Sequence, residues 1–174
     1  MEKSYKELMP QITTFIFDVD GVLTNGKVTV FPDGQLVRTM NVKDGFAMKT
    51  AIDNGFRVCI ITGGTNEAVK LRLHGLGITD IYLGSHNKID PLNEYLGSYN
   101  ISPENVLYMG DDIPDFHVMK SIALPACPKD AAPEIQEISL YVSQKKGGQG
   151  CVRDVIEQVL KVQDKWNPNL DARV

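Results

Sequence analysis

The stretch FIFDVDGVLTNG, residues 15 to 26, sets three apolar residues ahead of two carboxylates one residue apart. Phe15, Ile16 and Phe17 read as a strand buried on both faces, because no polar residue alternates with them. Asp18 and Asp20 stand where that strand ends. A carboxylate taken out of water there costs several kcal/mol unless something compensates it. The reading of the whole chain turns on what that something is.

Working outward, TFIFD (14–18) is the first of six such runs. The others are RVCIIT (57–62), DIYLG (80–84), NVLYMG (105–110), ALPA (123–126) and LYVS (140–143). Segments 44–54, 66–74, 88–97 and 114–121 lie between them, each long enough for a few helical turns. Strand alternating with helix predicts an α/β fold: a Rossmann-like parallel sheet with helices on both faces. Val152, Val155, Ile156, Val159 and Leu160 follow the spacing of one buried helix face and predict a C-terminal helix. One segment breaks the pattern. Residues 26–42 hold two β-rich runs joined by Pro32-Asp33-Gly34, a hairpin with turn residues in turn positions. Following the first strand directly, it projects over the carboxyl edge of the sheet, as a flap or as a plain surface hairpin.

The chain of 174 residues suits one domain, 1–174, with a polar tail after Trp166. It is 43% apolar and 23% charged, with net charge −4. No run of basic residues exceeds Lys145-Lys146, which argues against nucleic acid as a partner. No apolar run approaches the roughly 18 residues that span a membrane. The opening MEKSYKELMP lacks the apolar core of a secretory signal, so a cytoplasmic location is expected. Cys59 reads as a core thiol, and Cys127 and Cys151 fall in loop-like contexts without a C-x-x-C pair. His74, His86 and His117 have no metal-ligand spacing and read as structural.

In a parallel sheet the strand ends share one crevice. Four polar clusters fall at such ends: Asp18 with Asp20; Thr62-Gly63-Gly64; Lys88; and Gly110-Asp111-Asp112 with Asp115. Singly, each has an ordinary reading: a turn, a strand-to-helix connection, a solvated lysine, an acid-rich cap. A calcium loop would need further acids where Val22 and Leu23 stand. Together they converge five carboxylates on one ammonium and one hydroxyl. So many acids do not ionise side by side without a cation. An all-oxygen set suits Mg2+, which binds through one or two carboxylates together with substrate phosphate.

These residues resemble the haloacid dehalogenase superfamily. Its four motifs match here as Asp18-Val19-Asp20-Gly21-Val22, Thr62, Lys88, and Gly110-Asp111-Asp112 with Asp115. Within it the chain is similar to the small phosphatases acting on 3-deoxy-D-manno-octulosonate 8-phosphate, through Met40–Gly45, through residues 61–78 with Arg72, and through the glycine-rich segment 145–155 with Arg153. The resemblance implies an aspartyl-phosphate mechanism in lipopolysaccharide precursor biosynthesis. Asp18 would be the nucleophile. Asp20 would serve as proton donor and acceptor, and would lend its carbonyl to Mg2+ beside the Asp18 and Asp111 carboxylates. Thr62, Gly63 and Lys88 would hold phosphate, and Asp112 and Asp115 would orient Lys88 and water. Only residues 21–61 and 63–87 separate the first three motifs, which leaves no room for a cap domain.

An uncapped site needs other cover. The resemblance implies a homotetramer in which flaps associate and a neighbour covers the site, with Arg72 or Arg153 pairing with the sugar carboxylate. Gly147-Gly148-Gln149-Gly150, in a mobile segment from about 145 to 174, would approach the ligand. The alternatives are a phosphatase for a nine-carbon keto-deoxy sugar phosphate, for which those enzymes carry a glutamate and a lysine where Gly64 and Gly75 stand, one for another small phosphomonoester, or a non-catalytic protein on the same fold.

Overall fold

The architecture was obtained as a computed structural model that describes residues 4–171. A capping box of Ser4 and Glu7 starts helix α1 (Tyr5–Leu8). Strand β1 (Thr14–Phe17) follows, then the hairpin strands β2 (Thr29–Val30) and β3 (Leu36–Val37), then α2 (Val42–Asp53) and β4 (Arg57–Ile61). The chain continues through α3 (Glu67–Gly75), β5 (Asp80–Tyr82), α4 (Ile89–Tyr99) and β6 (Val106–Met109). It closes with α5 (Phe116–Met119), β7 (Leu124–Cys127), α6 (Pro133–Ile138), β8 (Tyr141–Val142) and α7 (Cys151–Val162).

Six strands form one parallel sheet in the order β5-β4-β1-β6-β7-β8. Each predicted run holds a strand: five of the six are trimmed by one or two residues, and ALPA (123–126) is shifted by one to Leu124–Cys127. β1 lies in the middle, all four of its residues buried. Its neighbours β4 and β6 come from opposite halves of the chain, so the sheet's order reverses about β1. That is where a crevice opens at the carboxyl edge. Alternate side chains feed two cores. Phe15 and Phe17 pack with α2, α3 and α7, while Ile16, Cys59 and Tyr108 pack with α4, α5 and α6.

The hairpin forms as expected. Phe31 N–H donates to Gln35 O at 2.9 Å, and Gly34, at φ +85°, makes the turn. Between Asp20 and Thr62 stand only this hairpin, α2 and β4; between Thr62 and Lys88 stand α3 and β5. There is no cap. The segment 114–121 differs from a single helix. Pro114 and the Asp112 cap shape a tight turn over Ile113–Asp115 before α5 begins. Cys127 and Cys151 are buried on β7 and α7 rather than in loops. Of the tail, residues 172–174 lie outside the described residues.

Candidate active site

The end of β1 is held by the strand beside it. Asp18 N–H donates to Met109 O at 3.1 Å, carrying the ladder one residue past the strand. Asp18 Oδ1 accepts from Val19 N–H at 2.7 Å. The chain then makes one wide turn, broken at Gly21, where φ is +85°. A Cβ at that position would run into the Asp111 carboxylate. Glycine is therefore required twice over, by its backbone angle and by the approach of the loop after β6.

Lys88 reaches the same point from the start of α4. Its side chain is 3% exposed, with Nζ 3.0 Å from Asp18 Oδ2 and 2.7 Å from Asp115 Oδ1. Asp115 is completely buried and fully engaged. Oδ1 also accepts from the Tyr108 hydroxyl at 2.7 Å, and Oδ2 accepts from Asp111 N–H at 3.1 Å. It thus joins Lys88 to the backbone of the Asp111 loop. Asp112 lines the cavity but does not touch Lys88; its carboxylate caps the turn through Ile113 N–H at 2.8 Å. Asp20 holds a contact that sequence reasoning missed. Arg38, just past β3, grips both its oxygens, Nε to Oδ1 at 2.6 Å and Nη2 to Oδ2 at 2.9 Å.

Asp18, Asp20, Thr62, Gly63, Lys88, Asp111, Asp112 and Asp115 all line one cavity of about 350 Å³. His86 lines it too, from the turn before α4, although its spacing marks it only as structural. Thr62 Oγ1 accepts from Gly64 N–H at 3.3 Å, so its proton is free to donate into the cavity. Arg72 and Arg153 lie elsewhere in this chain. Arg72 lines a groove between α3 and the hairpin. Arg153 pairs with Glu157 at 2.8 Å and lies over the Phe46 and Trp166 rings. Gly147 and Gly148 do approach something closely, but it is the backbone of Gly21–Asn25: Gly148 N–H donates to Val22 O at 2.9 Å.

Charge crowding dominates the electrostatics. Burial, then the Asp115 charge, push the Asp18 carboxyl up to about 6 against the pull of Lys88. Burial and the charges of Asp18, Asp115 and Asp112 push Asp111 up to about 8. Burial alone would lower the Lys88 ammonium, but Asp18 and Asp115 more than offset it and hold it above its ordinary value. Oxygens of Asp18, Asp111 and Asp115 lie within 4.8 Å of one another. Two carboxyls that resist ionisation and face each other are what a hard divalent cation would relieve. Asp115 takes three contacts on its two oxygens, whereas each Asp18 oxygen takes one and the Asp111 carboxylate has no hydrogen-bond partner among the described residues, so Asp18 and Asp111 keep the most capacity for an ion. The donor set fits such an ion.

Residues 71–156 match the haloacid dehalogenase-like hydrolase family model. The 3-deoxy-D-manno-octulosonate 8-phosphate phosphatase KdsC of Escherichia coli K12 is 38% identical over 154 residues, 88% of this chain and 82% of that enzyme. This chain is a haloacid dehalogenase-like hydrolase. The crystal structure of 3-deoxy-D-manno-octulosonate 8-phosphate phosphatase from Yersinia pestis superposes with a TM-score of 0.90 at 35% identity, covering 92% of this chain and 86% of that one. The phosphatase of that name from Moraxella catarrhalis, solved with magnesium ion, phosphate ion and KDO, superposes with a TM-score of 0.89 at 28% identity, covering 92% of both chains. As a hydrolase of this family the chain brings its four motif positions, at the ends of β1, β4 and β6 and the start of α4, to a single cavity. The unforeseen members, Arg38 and Tyr108, had only faint signals: an arginine in an apolar hairpin, and a tyrosine in a strand buried on both faces, whose hydroxyl needs a partner.

Proposed function

We propose that this chain is a Mg2+-dependent phosphatase that hydrolyses 3-deoxy-D-manno-octulosonate 8-phosphate to the free sugar acid and phosphate, a step in lipopolysaccharide precursor biosynthesis. The observation that carries the mechanism is the buried Asp18–Lys88–Asp115 chain of contacts facing the Asp111 carboxylate. The relatives' substrate carries the choice of sugar.

Asp18 attacks phosphorus and splits the hydrolysis into two easier displacements through an aspartyl phosphate. The Asp18 and Asp111 carboxylates and the Asp20 carbonyl would hold Mg2+, which would supply the positive charge that offsets the repulsion between carboxylate and phosphate. Lys88 supplies a fixed positive charge, and Thr62 with the Gly63 backbone supplies hydrogen bonds. Asp20 gives a proton to the departing sugar oxygen and takes one from the attacking water.

The site is open to solvent and the hairpin is apolar. Val30 is 67% exposed and Phe31 48%. We propose that hairpins associate in a homotetramer and that a neighbour supplies Arg72 or Arg153 to the sugar carboxylate. A cytoplasmic setting suits three buried, unpaired thiols. Among the described residues no helix is long and apolar enough to cross a membrane.

Phosphate release from a panel of the eight-carbon and nine-carbon keto-deoxy sugar phosphates, a nucleotide and p-nitrophenyl phosphate tests the proposal. The eight-carbon substrate is expected to have the highest kcat/KM, with turnover lost in EDTA and restored by Mg2+. Asp18→Asn is expected to remove turnover while the protein stays folded. Preference for another phosphomonoester overturns the choice of substrate, and hydrolysis by Asp18→Asn overturns the nucleophile.

A further inference from the structure

We propose that Arg38 is a positioning residue for proton transfer, tying the flap to the carboxylate of Asp20. The inference rests on the phosphatase reading of the site. An exposed single-contact ion pair would carry little weight, but this one is two-pronged and its guanidinium end is sheltered. The Arg38 side chain is 8% exposed and makes two contacts to Asp20, at 2.6 and 2.9 Å. Its third nitrogen, Nη1, donates to Leu36 O at 3.2 Å. Asn66 Nδ2, from the cap of α3, donates to the same oxygen at 2.7 Å. The guanidinium is thus fixed from behind as well as in front.

Asp20 remains 38% exposed and lines the cavity. A carboxylate offers about four acceptor sites, and Arg38 uses two, which leaves Asp20 capacity for a proton and a leaving oxygen. The Gly64 position shows how close the parts are. A Cβ there would lie 3.4 Å from Arg38 Nη2 and 3.7 Å from both Asp20 Oδ2 and Thr62 Oγ1. Guanidinium, acid and phosphate-facing hydroxyl share one small space. The plane of the Asp20 carboxylate is set by the fork of Arg38, and the fork is set by the hairpin. A lysine would keep the charge but not that orientation.

The test uses the whole enzyme with Mg2+ and two substrates. 3-Deoxy-D-manno-octulosonate 8-phosphate expels an alkoxide that needs a proton, whereas p-nitrophenyl phosphate expels a stable phenolate that does not. Their kcat/KM values report formation of the aspartyl phosphate. Arg38→Met is expected to cut kcat/KM for the sugar phosphate by about 10- to 100-fold, and for p-nitrophenyl phosphate by less than about threefold. Arg38→Lys should recover part of the loss. In an Asp20→Asn background, Arg38→Met should cost less than about threefold, because the group it acts through is gone. Equal losses on both substrates would mean a general structural role and overturn the proposal. So would an undiminished loss in the Asp20→Asn background, which would mean Arg38 touches the sugar itself. If Arg38→Met does not fold, Arg38→Lys and Arg38→Gln carry the same comparison. Asp20→Asn with wild-type rates would instead overturn the acid–base reading of Asp20.

Discussion

Asp44 shows what a single residue carries outside the catalytic cavity. It is 1% exposed, and Oδ1 accepts from Arg153 N–H at 2.8 Å, capping α7 from α2. Its Oδ2 is buried without a hydrogen-bond partner. Burial outweighs the bonds from the Arg153 and Gly150 backbones and pushes its carboxyl from the ordinary 3.8 up to about 6. An acid whose folded pKa is raised contributes stability that is full below its unfolded pKa. That contribution is lost as pH rises through the folded value. Here the window runs from about 4 to 6, and the rise is worth roughly 3 kcal/mol. Asp44→Asn keeps the acceptor without the charge. Urea unfolding at pH 4 and pH 7 is expected to show the variant gaining on the wild type by up to that amount at pH 7, and an unchanged gap would refute the assignment. None of this is legible in the sequence, where Asp44 is one acid near a helix start. Asp18 and Lys88 are legible because each follows a strand or opens a helix at a known edge. Arg38 is not, because its partner lies 18 positions away across a hairpin whose path only the fold sets.

Among the elements, the glycine-rich segment before α7 matters most to the site, and as a buttress. A Cβ on Gly147 would overlap the Gly21 carbonyl, and one on Gly148 would lie 2.7 Å from Asn25 N. Gly147 N–H donates to Asp130 Oδ1 at 2.9 Å, and Asn41 Nδ2 donates to Gly148 O at 3.2 Å. The segment backs the loop that carries Asp18 and Asp20. Gly147→Ala must push that loop, and an ångström of misplacement can cost about 10²-fold in rate. A fall in kcat of about 10- to 100-fold is expected, whereas Gly75→Ala, with nothing within 4 Å of its Cβ, should be neutral. Steady-state kinetics beside thermal melting decide it: wild-type kcat in Gly147→Ala would exclude the buttress. The strands were readable because burial on both faces writes itself as unbroken apolar runs. The helices α1 and α6 were not read from the sequence. Each is shorter than two turns and owes its place to packing rather than to a periodic face. A signal for α1 was present but went unused, the Ser4–Glu7 capping box.

At the scale of the molecule, the capless sheet sets what one chain does alone. The groups proposed to handle phosphate, Asp18, Thr62, Lys88 and Asp111, all come from one chain and line one cavity. The groups proposed for the sugar do not: Arg72 and Arg153 line separate surface pockets. Motif order made the first set visible in sequence. The second depends on which surfaces meet, and one chain's sequence carries only an exposed apolar hairpin as a hint. That hairpin, with Val30, Phe31 and Val37 all more than 40% exposed and left uncovered by the described residues, is the surface proposed to bring copies together. The pair Val30→Asp and Leu36→Asp, register partners on one face of the hairpin, puts charge on that face without touching Asp20 or Lys88. Light scattering should show the assembly falling to monomers. Hydrolysis of p-nitrophenyl phosphate, which needs only the phosphate-handling groups, should survive within about threefold, while kcat/KM for the sugar phosphate falls at least about tenfold as the neighbour's arginine leaves. A monomer that turns over the sugar phosphate at the wild-type rate would show that one chain holds the whole site, and would return Arg72 and Arg153 to ordinary surface roles.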